Sequence, residues 1–334
     1  MKETSFREAL TAAMDEEMTR DPNVFLIGED IGLYGGVFGV TKGLLARYGA
    51  KRVRQTPISE SAIVGAAIGA SMIGLRPVAE IMYFDFAATC MDQIINQAAK
   101  IRYVSNGQVK LPMVIRTQAG GGRGKGCTHS QYLEALFFHV PGIKIVAPAT
   151  AHDAKGLLKS AIRDDSPVLF LENAFFYNKK EKLPEEEYTV PLGEAAVRKT
   201  GRDLTLVTYA SMVDRCLQAA DSLEHRGVSA EVIDLRTLVP MDVDTVVKSV
   251  RKTERCVIVH EAYRRGGIGA EIASLVMEKV FDYLDAPIGR VGALETPIPF
   301  AESLEREVLP SLERIERACF DVVGKAGFAA PPSA

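Results

Sequence analysis

The 334-residue chain has no tryptophan and only five cysteines. The cysteines, at positions 90, 127, 216, 256 and 319, are odd in number, scattered and never spaced as Cys-x-x-Cys. That excludes a disulfide framework, argues against a structural zinc site and points to reduced thiols in a cytoplasmic compartment. No long apolar run is present: the longest, Ala62 to Leu75, has 14 residues and ends at Arg76, too short to span a bilayer. The first residues, MKETSFREAL, are charged at once and lack the apolar core of a signal peptide. Neither sign of charge dominates, and a net charge of -3 offers no basic footprint for nucleic acid. Several catalytic signatures are missing too. There is no Walker lysine, no His-Glu-x-x-His, no paired metal-ligand motif and no Gly-Asp-Gly.

What is present is an ordinary globular composition, 47% hydrophobic and 25% charged, in a chain long enough for two cores. Short apolar runs alternate with helical periodicities. In the first half, strands are expected at 24–27, 78–83, 113–116, 144–147 and 168–172, and helices at 5–20, 41–48, 90–102, 133–139 and 151–163. Such alternation implies a mainly parallel sheet covered on both faces. The charged stretch 178–187, NKKEKLPEEE, reads as part of a connector. A second α/β unit comes next, with strands near 204–209, 230–235, 256–260 and 290–294, and a closing helix over 304–323. The fold class is therefore α/β, with two open, mainly parallel domains. The boundaries are 1–178, a linker 179–192, a second domain 193–326, and a frayed tail 327–334.

In open parallel sheets, ligands collect beyond the carboxyl ends of the strands. Glu29, Glu60, Phe86 and His129 each come after a strand or extended segment, so one edge can gather them. Glu60 ends the segment Thr56-Pro57-Ile58-Ser59-Glu60 and opens a helix of small residues, SAIVGAAIGASMIG. Pro57 favours extended geometry at Thr56, and Ser59 is placed to cap the helix. Gly65 and Gly69 lie four apart on one helical face and permit close approach of another backbone. Glu60 can simply serve the helix dipole there, or it can work as an acid–base group. His129 closes a glycine-rich loop, Gln118 to His129, of the length that is often functional. His260, before Glu261 and a second glycine-rich turn, marks either an anion site at a helix start or a plain turn.

The ordered segments Gly28-Glu29-Asp30, Tyr34-Gly35-Gly36-Val37-Phe38, Thr56-Pro57-Ile58-Ser59-Glu60, Gly74-Leu75-Arg76-Pro77, Asp92 to Lys100, His129-Ser130-Gln131, Asp153 to Leu157 and Asp234 to Leu238 carry a resemblance. Over nearly its whole length the chain resembles the β subunit of the thiamine diphosphate-dependent first component of 2-oxo acid dehydrogenase complexes. That group includes pyruvate, acetoin and branched-chain 2-oxo acid dehydrogenases, and its architecture is transketolase-like. The resemblance implies a pyrimidine-type cofactor domain followed by a transketolase C-terminal-like domain. It assigns catalytic roles to Glu60, as the carboxyl bonded to a pyrimidine nitrogen, and to His129, facing the substrate and the lipoyl group. It places Glu29, Ile58, Ser59, Glu60, Met82 and Phe86 around the pyrimidine, and Ala161, Ile162 and Asp164 at a monovalent-cation site that some members fill with potassium. Ser166 departs from the asparagine expected beside that site. Because Gly-Asp-Gly is absent, the resemblance also implies that magnesium and the diphosphate are held by an α subunit. The expected assembly is an α2β2 heterotetramer serving a dihydrolipoyl acyltransferase core with lipoyl domains, with no nucleic acid or membrane partner. Pyruvate is the leading substrate, acetoin the second and a branched-chain 2-oxo acid the third. A non-catalytic docking scaffold is the reading from a different class.

Overall fold

The computed structural model describes residues 1–324; the expected tail, 327–334, lies outside them. Two units emerge, Met1–Gly120 with Thr128–Gly193 and Thr237–Pro240, and Gly121–Cys127 with Glu194–Arg236 and the chain from Met241 onward.

The first unit is built on a seven-stranded sheet. Its order is Thr237–Val239, Lys144–Val146, Val168–Asn173, Val114–Ala119, Arg76–Tyr83, Val24–Glu29 and Val53–Thr56. All neighbours run parallel except Thr237–Val239, which lies antiparallel on the flank. The central strands are buried almost throughout, as expected of a parallel sheet covered on both faces. Helix Phe6–Arg20 starts in a capping box: the Ser5 side chain accepts from the Glu8 amide while the Glu8 carboxylate receives the Ser5 amide at 2.8 Å. It packs against helix Ala151–Arg163, and buried Lys159 reaches Glu16 at 2.7 Å.

Local departures from the sequence expectations have physical reasons. The helix expected over 90–102 is instead a succession: tight turns over Phe84–Cys90, a wide-turn segment at Gln93–Ala98 and a regular helix only at Ala99–Val104. Apolar spacing does not distinguish these winding numbers, and wide turns often mark functional positions. Within 179–192, Lys180–Leu183 pairs antiparallel with Lys2–Ser5. Ser59 stands at the cap position of helix Glu60–Met72, but its side chain caps nothing. Gly65 meets Gln93 of the same chain, whose Oε1 would lie 3.4 Å from an added Cβ, while Gly69 is open.

The second unit carries a five-stranded sheet ordered Gly289–Ala293, Cys256–Tyr263, Leu204–Thr208, Ala230–Asp234 and Ala196–Lys199, with only the last pair antiparallel. Leu206, Val232, Val257, Leu223 and Ile315 form its apolar core. The closing helix expected over 304–323 is two helices, Glu302–Val308 and Leu312–Val323. Pro310 ends the first, and Ser311 caps the second by accepting from the Arg314 amide at 3.2 Å.

Candidate active site

Parallel strands release their carboxyl ends at a common edge. In the first unit, Glu29 ends Val24–Glu29 directly opposite Thr56 of the next strand. Four residues on, Glu60 opens its helix, where the dipole favours a carboxylate. Arg76–Tyr83 ends in Tyr83, and the tight turns behind it carry Phe86. Two hydrogen bonds tie these pieces together: the Ser61 hydroxyl donates to the Thr89 carbonyl at 2.8 Å, and the Thr89 hydroxyl to the Phe86 carbonyl at 2.8 Å. The helix of Glu60 and the turn of Phe86 are thus held as one piece.

Three rings meet at the same edge. The His129 ring lies 4.6 Å from Tyr83 and 5.2 Å from Phe86, edge-on to both, and Tyr83 and Phe86 are 5.5 Å apart. Edge-to-face contact suits the opposed quadrupoles of such rings. His129 Nδ1 also bonds the Thr128 hydroxyl at 2.9 Å. Beyond the histidine, Gln131 is fixed by its side-chain amide donating to Asp85 Oδ1 at 2.8 Å.

The edge is acidic as well as aromatic. Neither Glu29 nor Glu60 has a hydrogen-bond or ion-pair partner among the described residues. Burial holds the Glu29 carboxyl above its ordinary range, and the nearby charges of Asp30 and Glu60 push the same way. Glu60 also acts on Cys90, whose thiol is pushed up to about 12, chiefly by burial and secondarily by that carboxylate.

Behind Glu29 lies a buried network that the sequence motifs did not reveal. Arg116 donates from Nη1 to Glu80 at 2.8 Å, and from Nε and Nη2 to the two oxygens of Glu172 at 2.6 and 2.9 Å. The Tyr177 hydroxyl donates to Glu172 at 2.8 Å. Burial raises the Glu80 carboxyl, against the pull of Arg116. Burial also works against the charge on Arg116, but Glu172 and Glu80 outweigh it and hold the guanidinium charged. Two carboxylates and one cation in so dry a place require every one of these bonds. The sequence did carry a signal: Glu80, Arg116 and Glu172 are charges inside largely buried strands, and Glu80 pairs in register with Arg116.

Other residues selected from the sequence divide between two edges of the sheet. Met82 is half-buried on its strand, while Ile58 and Ser59 stand exposed at the rim, Ile58 at 72%. Ala161, Ile162 and Asp164 are not at this edge; they lie at the opposite one, where Val168–Asn173 and Arg76–Tyr83 begin. There the carbonyls of Ile162 and Asp164 accept from Arg76 Nη1 at 3.0 and 3.1 Å, and Lys144 pairs with the Asp164 carboxylate. Cations belonging to the chain thus reach the oxygens of Ile162 and Asp164, and the Ala161 carbonyl accepts from the Asp164 amide. His260 is fully buried, and added Cβ atoms on Gly267 and Gly269 would lie 2.7 Å and 2.5 Å from its ring. Of the two readings the sequence allowed there, the packed turn is the one seen.

Residues 2–178 match the model of the transketolase pyrimidine binding domain, and residues 193–315 that of the transketolase C-terminal domain. The chain is 46% identical to pyruvate dehydrogenase E1 component subunit beta-2, mitochondrial, of Oryza sativa subsp. japonica, over 98% of this chain and 89% of the relative. It is 47% identical to pyruvate dehydrogenase E1 component subunit beta of Rickettsia felis, over 94% and 98%. It is 46% identical to acetoin:2,6-dichlorophenolindophenol oxidoreductase subunit beta of Cupriavidus necator, over 95% and 96%. Among solved structures, a split-gene transketolase in an inactive beta4 tetramer superposes with a TM-score of 0.77 at 24% identity, covering 96% of this chain and 98% of that one. That last likeness speaks to the fold alone. With both domain models matched in order and near full-length identity approaching one residue in two, the chain belongs to the transketolase-like family of E1 component beta subunits of 2-oxo acid and acetoin dehydrogenases.

Proposed function

We propose that this chain is the β subunit of a thiamine diphosphate-dependent E1 enzyme. Together with an α subunit it decarboxylates a 2-oxo acid, pyruvate first, and transfers the acyl group to a lipoyl disulfide. The observation that carries this reading is the convergence of Glu29, Glu60, Phe86 and His129 on one sheet edge, with two carboxyl groups that no protein group among the described residues engages.

Those residues fit a nitrogenous aromatic ring. Glu60 can hold a proton against a ring nitrogen, and Phe86 offers an aromatic face for the ring to lie on. Met82, Ile58 and Ser59 complete the rim. When bound, thiamine diphosphate supplies a carbon nucleophile toward a 2-oxo group. The chain's part is to orient the pyrimidine, shed water around it and present the Glu60 carboxyl to its ring nitrogen. Burial, with Asp30 and Glu60 nearby, holds the Glu29 carboxyl above its ordinary range beside Glu60. His129, held edge-on between Tyr83 and Phe86, is the donor aimed at the substrate and at the arriving lipoyl group. The sequence lacks Gly-Asp-Gly, so the diphosphate and its magnesium fall to the α subunit.

Acetoin is the second substrate, on the strength of an equally similar acetoin-type relative. The test is co-expression with the α subunit, thiamine diphosphate titration, and lipoyl-dependent assays with pyruvate, acetoin and 3-methyl-2-oxobutanoate. Cofactor binding by the pair, with highest turnover on pyruvate, is expected. A pair that binds no cofactor leaves a docking scaffold instead.

A further inference from the structure

The chain reaches His129 through a glycine segment, Gly121 to Cys127, that is packed within the second unit. Two acidic side chains of that unit hold it. Glu305, 1% exposed, accepts from the amides of Gly122 and Gly124 at 2.8 Å each, one on each carboxylate oxygen. Glu261 accepts from the Gly121 amide at 2.6 Å, and its other oxygen receives the Ser211 hydroxyl. Hydrogen bonds from amides to an ionised carboxylate are about twice as strong as neutral ones. The fit leaves no room for side chains. A Cβ on Gly121 would lie 3.0 Å from Glu305 Oε1, and one on Gly126 would lie 2.4 Å from the Phe300 ring. Gly122, Gly124 and Gly126 also have positive φ, which glycine adopts without strain.

We propose that Glu305 and Glu261 are positioning residues: they clamp the conformation of the glycine segment that leads along the chain into Thr128 and His129. Without the clamp, the glycine-rich stretch around Arg123 and Lys125, just before the histidine in the chain, samples many conformations. Glu305 acts through His129, not on substrate. The inference rests on the proposed role of His129, but the clamp itself is measurable without cofactor.

The test is amide hydrogen exchange and limited trypsin digestion of the full chain, alone and with its α subunit. Glu305→Gln keeps the shape but turns one acceptor into a donor facing an amide. The expected result is roughly tenfold or faster exchange at Gly122 and Gly124, with new cleavage after Arg123 and Lys125. Phe300→Ala, which removes a 67% exposed ring from Gly126, is the second variant and spares the buried carboxylate. It should loosen the same segment, so the question remains answerable if Glu305→Gln does not fold. In the reconstituted enzyme both variants should lower turnover with the lipoyl acceptor and leave cofactor affinity unchanged. Unchanged exchange in Phe300→Ala and in any folded Glu305→Gln overturns the clamp. A loosened segment with unchanged acyl transfer, in an enzyme that His129→Ala does impair, overturns the positioning role while sparing that of His129. If His129→Ala is itself silent, the site reading fails and the positioning role with it.

Discussion

The two sheets end their central strands in similar ways but surround those ends very differently. In the first, the ends of Val24–Glu29, Val53–Thr56, Arg76–Tyr83 and Val114–Ala119 and the segments after them leave Glu29, Glu60, Phe86 and His129 half-buried, with carboxyl oxygens on Glu29 and Glu60 that no described protein group claims. In the second, Cys256–Tyr263 carries His260 and Glu261 near its end, and both are sealed. Gly267 and Gly269 press on the His260 ring, and Glu261 is spent on a backbone amide and a hydroxyl. Topology offers both edges to a ligand. Packing closes His260 off in the second, while Glu29 and Glu60 in the first keep part of their surface open.

The contrast is broken most decisively by replacing Glu60. Glu60→Gln should reduce turnover of the reconstituted enzyme by about 10²–10⁴-fold while the α–β assembly, read by size-exclusion chromatography, is retained. Near-normal turnover would mean that the open carboxyl is idle. The next largest effect concerns the support of that edge. Arg116→Met leaves Glu80 and Glu172 buried without their cation, and a loss of about 3–5 kcal/mol is expected for breaking such a pair. The measurement is urea unfolding, and a change below about 1 kcal/mol would show that the carboxyls simply take up protons.

The smallest effect sharpens the other side of the comparison. Burial holds His260 down at about 4, below the 6.5 of an unfolded chain. An unfolded chain therefore binds a proton that the folded one refuses between those values. Stability from the neutral ring is complete above pH 6.5 and declines as pH falls toward 4, by on the order of 3 kcal/mol at most. His260→Asn should flatten that part of the profile, measured as urea midpoints at about pH 7 and about pH 4.5. An equal decline in both proteins would show that the ring is not sealed.

Much of the site was readable because it depends on strand ends. Apolar runs located the strands, alternation with helices made them parallel, and the parallel sheet placed Glu29, Glu60, Phe86 and His129 on one side. What was not readable depends on winding and on pairing across the sheet. Gln93–Ala98 has the spacing of a helix but wider turns, and Ser59 sits where a cap belongs without capping. Lys2–Ser5, Lys180–Leu183, Ala196–Lys199 and Thr237–Val239 are strands of three or four residues, partly polar, with little periodicity to detect. The Arg116 network needed the register of three strands before its charges could be matched. The clamp on the glycine segment joins residues 140 to 183 positions apart, beyond any local pattern.

The flanking ribbon Thr237–Val239 has one more implication. It is encoded after strands of the other unit, yet it seals the Lys144–Val146 side of the first sheet. A shortened gene stopping at residue 193 would therefore yield a polypeptide with a naked margin, prone to self-association through it. Neither half of this protein can be obtained by scissors alone, and any attempt to recombine halves from different relatives must carry that ribbon along with the sheet it closes.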